Sequence, residues 1–523
     1  MANSRTKNTI YNFSTSIGGQ LITILMQFIV RTAFIHTLGK SYLGINGLFS
    51  NILTMLSLTE FGVGSAILFK LYEPIAKEDH HRIAILMKFY KNVYRVIGLA
   101  IAALGLLIIP FLPVLIKDYD KLEALNLNAV FIFLLYLMKT VSSYLFFAYK
   151  SAIIKANQKE YYINLISYVF TILAGIVQII FLFVIPKFEV YVTILILQVV
   201  GQNIVVARLA NKLYPYINEA TADRIEKREI KEVIKDCSAL FLYKLNGVVG
   251  KTIDNIVLST FIGLDIVGMY SNYYIFYTTI HSLFSKIFGA VSHSLGNLHT
   301  TKDVEHEYSI FEVVMLISAI LGGTAFIGIF VVADEFVLRW IGVDWVLPQP
   351  FSFLMGLELY TMAVRTALGK YRSTMGLFRQ GKFRPVAGMV INLVVSILLV
   401  NVWGICGVLV GTIATDWLTF MWYDPIIIHK YGFKNYQSVF RYFKKFILYF
   451  GTTIVMGTAD YFFCSYVLAG YGWLSIIFHS VIVGLTVPAS LILVSYRTTE
   501  GEYLRKLLGK GVRRIKKKLK RRK

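Results

Sequence analysis

Forty-two of the 53 Lys and Arg residues fall in, or at the edges of, alternate gaps between apolar segments, the two termini included, and nothing else in the sequence constrains the fold as tightly. A helix needs about 20 mostly apolar residues to cross the hydrocarbon core of a bilayer. Fourteen such segments follow one another, at approximately 10–36, 43–69, 92–116, 125–149, 161–185, 190–211, 236–262, 266–296, 309–333, 350–369, 385–401, 405–428, 446–468 and 473–496. The gaps on the N-terminal side of the alternation hold the 42 cations. The opposite gaps hold five: Lys40, Lys117, Lys121, Lys187 and Arg339. Basic loops stay in the cytoplasm, so both termini are expected there. One span more or fewer would scramble the alternation, which therefore tests the count. The weakest inside gap is "LHTTKDVEHEY" (298–308), and the least defined split is at "NVWG", between 385–401 and 405–428.

Composition agrees. The chain is 56% hydrophobic and 16% charged, against roughly 25% charged in a soluble domain. Strand alternation is absent, which argues against a barrel. The expected fold class is all-α, a polytopic membrane protein with about 14 transmembrane helices. The N-terminal stretch has Arg5 and Lys7 but no small-residue cleavage pattern, so it reads as a retained first helix. The tail "YLRKLLGKGVRRIKKKLKRRK" suits anionic headgroups on the cytoplasmic face better than nucleic acid.

The chain also matches itself. "LGKSYLGINGLFSNI" (38–52) aligns without gaps to "IGLDIVGMYSNYYIF" (262–276), with Gly39 on Gly263 and Gly44 on Gly268, an offset of 224. "YKSAIIKANQKEYY" (149–162) aligns to "YRSTMGLFRQGKFR" (371–384) at an offset of 222. Six spans separate the copies, so the halves have the same orientation, as in parallel repeats about an axis along the membrane normal. The expected organisation is two six-helix bundles, 1–215 and 216–435, then two added spans within 436–496 and a basic cytoplasmic tail, 497–523. The outer loops are too short for an external catalytic domain.

"LNGVVGKTIDNIVLSTFIG" (245–263) contains the GKT that closes a phosphate-binding P-loop. That pattern needs glycine at 245, where Leu245 stands, and a strand before the helix, where the sequence reads as one apolar helix. The segment is better read as a span carrying Lys251 and Asp254, three apart on one helical face. Cys237, Cys406 and Cys464 lie far apart, and no metal-ligand spacing or nucleophile elbow occurs, so neither a metal nor a catalytic residue is expected.

Charges inside spans are expensive unless they face a cavity or a partner. The cations Arg31, Lys139, Lys251 and Arg365 are the candidate groups for an anionic cargo, because Arg and Lys are the side chains that bind phosphate esters. Snorkelling to the interface competes with this reading at Arg31 and Arg365, and a structural ion pair competes at Lys251–Asp254. The acids Asp254, Glu60, Glu358 and Asp416 are candidates for binding a coupling Na+ or H+. Glu358 and Arg365 are two turns apart and share a face. Asp460 and His479 add charge to the last two spans.

The segments "RTAFIHTLGKSYLGINGLFSNIL", "LTEFGVGSAI", "IDNIVLSTFIGLDIVGMYSNYY" and "INLVVSILLVNVWGICGVLVGTIATD" resemble, in order and spacing, the Wzx-type polysaccharide transporters of the multidrug/oligosaccharidyl-lipid/polysaccharide exporter superfamily. The resemblance covers most of residues 5–430. It implies two six-helix bundles around a central cavity that opens alternately to either side. It also implies a cargo of undecaprenyl-pyrophosphate-linked oligosaccharide, flipped across a bacterial cytoplasmic membrane, with other polysaccharide-assembly proteins as potential partners. The added pair of spans is more like the lipid II flippase branch, but that branch's Arg-Asp pair in span 1 is absent, since Thr32 follows Arg31. A drug exporter of the same fold is the first alternative. A membrane polymerase or acyltransferase is the second, and lacks its charged outer loop or clustered histidine here.

Overall fold

The computed structural model describes residues 2–57, 63–117, 119–124, 127–219, 223, 225–226, 228–231, 252–300, 303–377, 380–381, 383–467 and 472–506. Regular structure among the described residues is helical throughout. Nine of the helices there are long and apolar enough to cross a membrane, or ten if the pair Ala129–Leu145 and Ala148–Ala156, bent by 43°, is one span. Other predicted spans are helical where described but are shorter or more polar, as at Phe351–Thr374, which carries Glu358, Arg365 and Lys370. Most of the predicted span 236–262 lies outside the described residues. The chain is a multi-pass membrane protein. Helices serve that purpose because every backbone N–H then finds its acceptor within its own segment.

Contacts divide the chain into two units, Met1–Gly268 and Met269–Lys523. The first contains α1 (Ala2–Thr37), α2 (Lys40–Leu56), α3 (Val63–Ala76), α4 (His80–Ile108), α5 (Leu112–Leu115), α6 (Tyr119–Ala124), α7 (Ala129–Leu145), α8 (Ser151–Ala156), α9 (Glu160–Val184) and α10 (Phe188–Leu213). It adds α11 (252–261) and the first turn of α12 (Leu264–Thr300). Here α1 packs on α9, α9 on α10, α10 on α7 and α7 on α4. Aromatic edges close the core: Phe49 meets Phe133 at 5.2 Å, and Phe34 meets Phe188 at 5.8 Å.

The second unit holds the rest of α12, α13 (Val304–Ile341), α14 (Phe351–Thr374), α15 (Arg384–Trp403), α16 (Ile405–Thr419), α17 (Tyr423–Ile427), α18 (Val439–Val467), α19 (Trp473–Val494) and α20 (499–506). Its centre is α13, which packs on α14, α18 and α19. The ill-defined split at "NVWG" falls on Gly404, whose φ of +56° ends α15 and starts α16. A side chain there would be strained, and that single residue separates two apolar runs that read almost as one.

The duplication is visible within the first unit. A Cβ added to Gly44 of α2 would lie 2.0 Å from the Leu264 carbonyl oxygen, and one added to Gly268 of α12 would lie 2.4 Å from the Lys40 carbonyl oxygen. At the offset of 224, Gly44 corresponds to Gly268 and Lys40 to Leu264, so the contact is reciprocal. Ser41 corresponds to Asp265, and Ser41 Oγ donates to Asp265 Oδ1 at 2.6 Å. Self-paired positions flanked by reciprocal contacts are the signature of a local two-fold relation.

Candidate functional site

The first unit holds an open cleft with about 520 Å3 of empty space, lined by Ser50, Leu53, Thr54, Ser57, Tyr136, Lys139, Thr140, Ser143 and Val199. Two helical stripes build it. Ser50, Leu53, Thr54 and Ser57 recur at i, i+3, i+4 and i+7 along α2 and its C-terminal cap. Tyr136, Lys139, Thr140 and Ser143 repeat the same spacing on α7. Each stripe therefore presents its polar side chains to one space.

Lys139 is the cleft's cation. Its Nζ lies 5.9 Å from the Tyr136 ring centroid, and it has no carboxylate within ion-pair distance among the described residues. Tyr136 is held in turn by its hydroxyl, which donates to Asn46 Oδ1. The surrounding hydroxyls spend their protons on their own helices. Thr54 donates to the Ser50 carbonyl at 2.7 Å, Ser57 to Leu53 at 2.8 Å, Thr140 to Tyr136 at 3.0 Å and Ser143 to Thr140 at 2.6 Å. What they offer the cleft is lone pairs. The site presents one ammonium donor and a ring of acceptors, a match for a ligand that is both anionic and rich in hydroxyl groups.

Arg31 lies on α1 one turn from Phe34, whose ring meets that of Tyr191 at 4.9 Å. It does not line the Lys139 cleft, although Tyr191 lies within electrostatic range of both Arg31 and the cleft's Tyr136. Asp254 is buried on α11 beside the equally buried Thr252 and Asn255. Lys251 and Glu60 lie outside the described residues. The far end of α11 is tied down: Ser259 Oγ donates to the Leu115 carbonyl at 2.8 Å and Lys117 Nζ to the Phe261 carbonyl at 2.8 Å.

The second unit pairs its charges. Arg365 of α14 donates to Asp416 Oδ1 of α16 at 2.5 Å, and its guanidinium sits 5.2 Å from the Phe420 ring centroid. Glu358 is buried on the same helix, and Tyr277 of α12 lies within electrostatic range of Glu358, Arg365 and Asp416. The sequence assigns Arg365 to cargo and Asp416 to coupling; in the structure they are partners.

Sequence reasoning passes over two groups. The hydroxyl stripes are legible as a repeated i, i+3, i+4, i+7 pattern once polar as well as apolar residues are counted. The aligned pair Lys150 and Arg372 is buried in both units, with 6% and 9% exposure. Lys150 donates to Asn211 at 2.5 Å and Asn218 at 2.9 Å, whereas Arg372 reaches the carbonyls of Leu377 at 2.9 Å and Gln380 at 2.7 Å and lies 3.5 Å from Asp424. Asp424 also accepts from Arg384. Both cations are committed to protein acceptors.

A family model described as polysaccharide biosynthesis protein matches residues 7–292, more than half of the chain. The chain belongs to that family. No curated protein sequence matches this polysaccharide biosynthesis family member. Its fold is similar to that of solved transporters at low identity. A lipid II flippase MurJ structure in an inward closed conformation has a TM-score of 0.67 and 14% identity, with 93% of this chain and 99% of that one covered. An inward-facing multidrug resistance MATE family transporter of the MOP superfamily has a TM-score of 0.57 and 13% identity, with coverage of 79% and 96%. A point mutant of the Vibrio cholerae MATE transporter VcmN has a TM-score of 0.50 and 14% identity, with coverage of 83% and 100%.

Proposed function

We propose that the protein is a flippase for undecaprenyl-pyrophosphate-linked oligosaccharide, working by alternating access in the bacterial cytoplasmic membrane. The observation that carries this reading is the Lys139 cleft, where a half-buried cation without a carboxylate partner among the described residues is ringed by hydroxyl acceptors. An ammonium group suits a pyrophosphate, and lone pairs suit sugar hydroxyls. Membership of a polysaccharide biosynthesis family supports such a cargo, and the transporter-like fold supports movement rather than chemistry. The protein is accordingly proposed not to be an enzyme.

Arg31 and Lys251 are proposed to extend the cationic path from the cleft. The Arg365–Asp416–Glu358 cluster, with Asp254 and Glu60, is proposed to bind the coupling Na+ or H+, since an ion biases two states only by binding them unequally. The bundles 1–215 and 216–435 are the proposed moving halves. The proposed orientation has both termini cytoplasmic and the basic tail on anionic headgroups.

Removal of the protein from its native host tests the reading. The expected result is a pyrophosphate-linked glycan accumulating on the cytoplasmic leaflet, restored to normal turnover by the wild type and not by Lys139→Ala. Absence of any such lipid sinks it. A drug exporter of this fold is the second reading, favoured by the MATE likeness. It predicts drug efflux from whole cells, which a cleft whose charge is a lysine does not suit.

A further inference from the structure

The last two spans carry buried ionisable groups that neither the cleft nor the Arg365 cluster uses. On α19, Ser475, His479 and Thr486 fall on one stripe at i, i+4 and i+11, and the first two are 0% and 5% exposed. His479 Nδ1 lies 3.1 Å from Glu335 Oε2 of α13, an ionic contact set off the line of a good hydrogen bond. His479 Nε2 is buried without a hydrogen-bond partner among the described residues. Ser475 Oγ donates to the other Glu335 oxygen at 2.5 Å. On α18, Asp460 is 4% exposed, and its carboxyl accepts from Thr486 Oγ1 at 2.7 Å. Cys464, one turn along α18, lies within electrostatic range of both Asp460 and Glu335, and Thr486 carries the α19 stripe from His479 toward Asp460. The other charged group facing these side chains among the described residues is Arg339 of α13, 4.0 Å from Glu335. Tyr461 of α18 stacks on Phe330 at 4.7 Å.

We propose that Glu335, His479 and Asp460 form a proton-binding site where α18 and α19, the two spans added to the duplicated twelve, pack on α13. The chemistry selects a proton over a metal ion. Glu335 places a carboxylate 3.1 Å from the His479 ring, where a proton on the ring would be balanced by its charge, and Asp460 is offered a hydroxyl rather than a cation. An ionised carboxylate in so dry a place is expensive, so on this proposal packing of the three helices favours a proton on Asp460. Separating α18 or α19 from α13 admits water and releases that proton, which is how occupancy and helix packing become linked. A role in driving transport rests on the flippase reading above; the binding of the proton does not.

The test uses the full-length protein in lipid nanodiscs without cargo. Ring nitrogen shifts of 15N-labelled histidine, assigned with His479→Gln, are followed from about pH 5 to about pH 9, the range in which histidine charge is informative. Infrared difference spectra across the same range report protonated carboxyl groups. The expected result is a His479 ring that titrates, with proton affinity lowered at least tenfold in Glu335→Gln, and a protonated-carboxyl band that Asp460→Asn removes. A wild-type ring that keeps one protonation state throughout overturns the proposal without need of any variant. So does an unchanged midpoint in Glu335→Gln, or a band that survives Asp460→Asn. Those failures leave the glycan-accumulation experiment unaffected, so the two readings fall separately.

Discussion

Replacing Gly44 with alanine should loosen the reciprocal contact between α2 and α12. The new Cβ would lie 2.0 Å from the Leu264 carbonyl oxygen and 2.7 Å from its carbon. An ordinary carbon–oxygen contact is above 3 Å, so the two helices must separate by about 1 Å or more, because the obstacle is backbone and cannot rotate away. Overpacking of this kind costs about 1–3 kcal/mol. If the helices part in a second state that escapes the clash, the balance shifts toward it by about 5- to 150-fold. The assay is cross-linking of Ser41→Cys with Asp265→Cys, whose parent side chains meet at 2.6 Å. Cross-link yield should fall sharply in Gly44→Ala and also in Gly268→Ala, where the clash is 2.4 Å with Lys40. Gly47→Ala is the local control, since its nearest neighbour would be Val267 at an ordinary 3.4 Å. Equal yields in Gly44→Ala and Gly47→Ala would refute the geometric argument.

Lys139→Ala should cut glycan turnover by about 10- to 100-fold, the value of one or two charge-assisted hydrogen bonds, while Lys139→Arg should retain most of it; lipid-linked glycan on the inner leaflet is the readout. Arg365→Ala removes the cation that pairs with buried Asp416, and should cost toward the lower end of about 3–5 kcal/mol because Arg365 itself is 32% exposed along its side chain. The double change with Asp416→Asn should recover most of the lost melting temperature. Glu500, on α20 outside the spans, is pushed up by burial, but hydrogen bonds from Lys445 and Tyr449 outweigh this and hold its carboxyl below the ordinary value of 4.5. Its stabilisation is therefore complete above that value and lost as pH falls through the lower folded value; melting curves should show Glu500→Gln removing that acid-side loss.

The span pattern was legible because hydrophobic run length and loop charge both answer to the bilayer. The repeat was legible too: two glycine matches at one offset became a reciprocal backbone contact. Gly404 was harder, since a single positive-φ residue leaves no mark on hydropathy. At the candidate sites, sequence separation hid the partners. Arg365 and Asp416 are 51 residues apart, and only the packing of α14 on α16 makes them a pair. Lys139 was legible as a costly charge, but its setting shows in the sequence only when hydroxyl side chains are counted at helical spacing, because they do not stand out in apolar helices. Arg372 and Lys150 read as loop cations in the sequence and are instead buried struts.

The lone pairs around Lys139 carry a consequence for breadth of substrate. A hydroxyl oxygen accepts from water about as well as from a sugar, so exchanging one for the other is nearly neutral in free energy. Such a wall penalises few arrangements of equatorial or axial hydroxyls, and it rewards none strongly. The ammonium, by contrast, distinguishes a charged carrier from an uncharged one. On the proposed reading, the cleft would be strict about the linker and lenient about the glycan, so the identity of the repeat unit would be policed by the enzymes that build it.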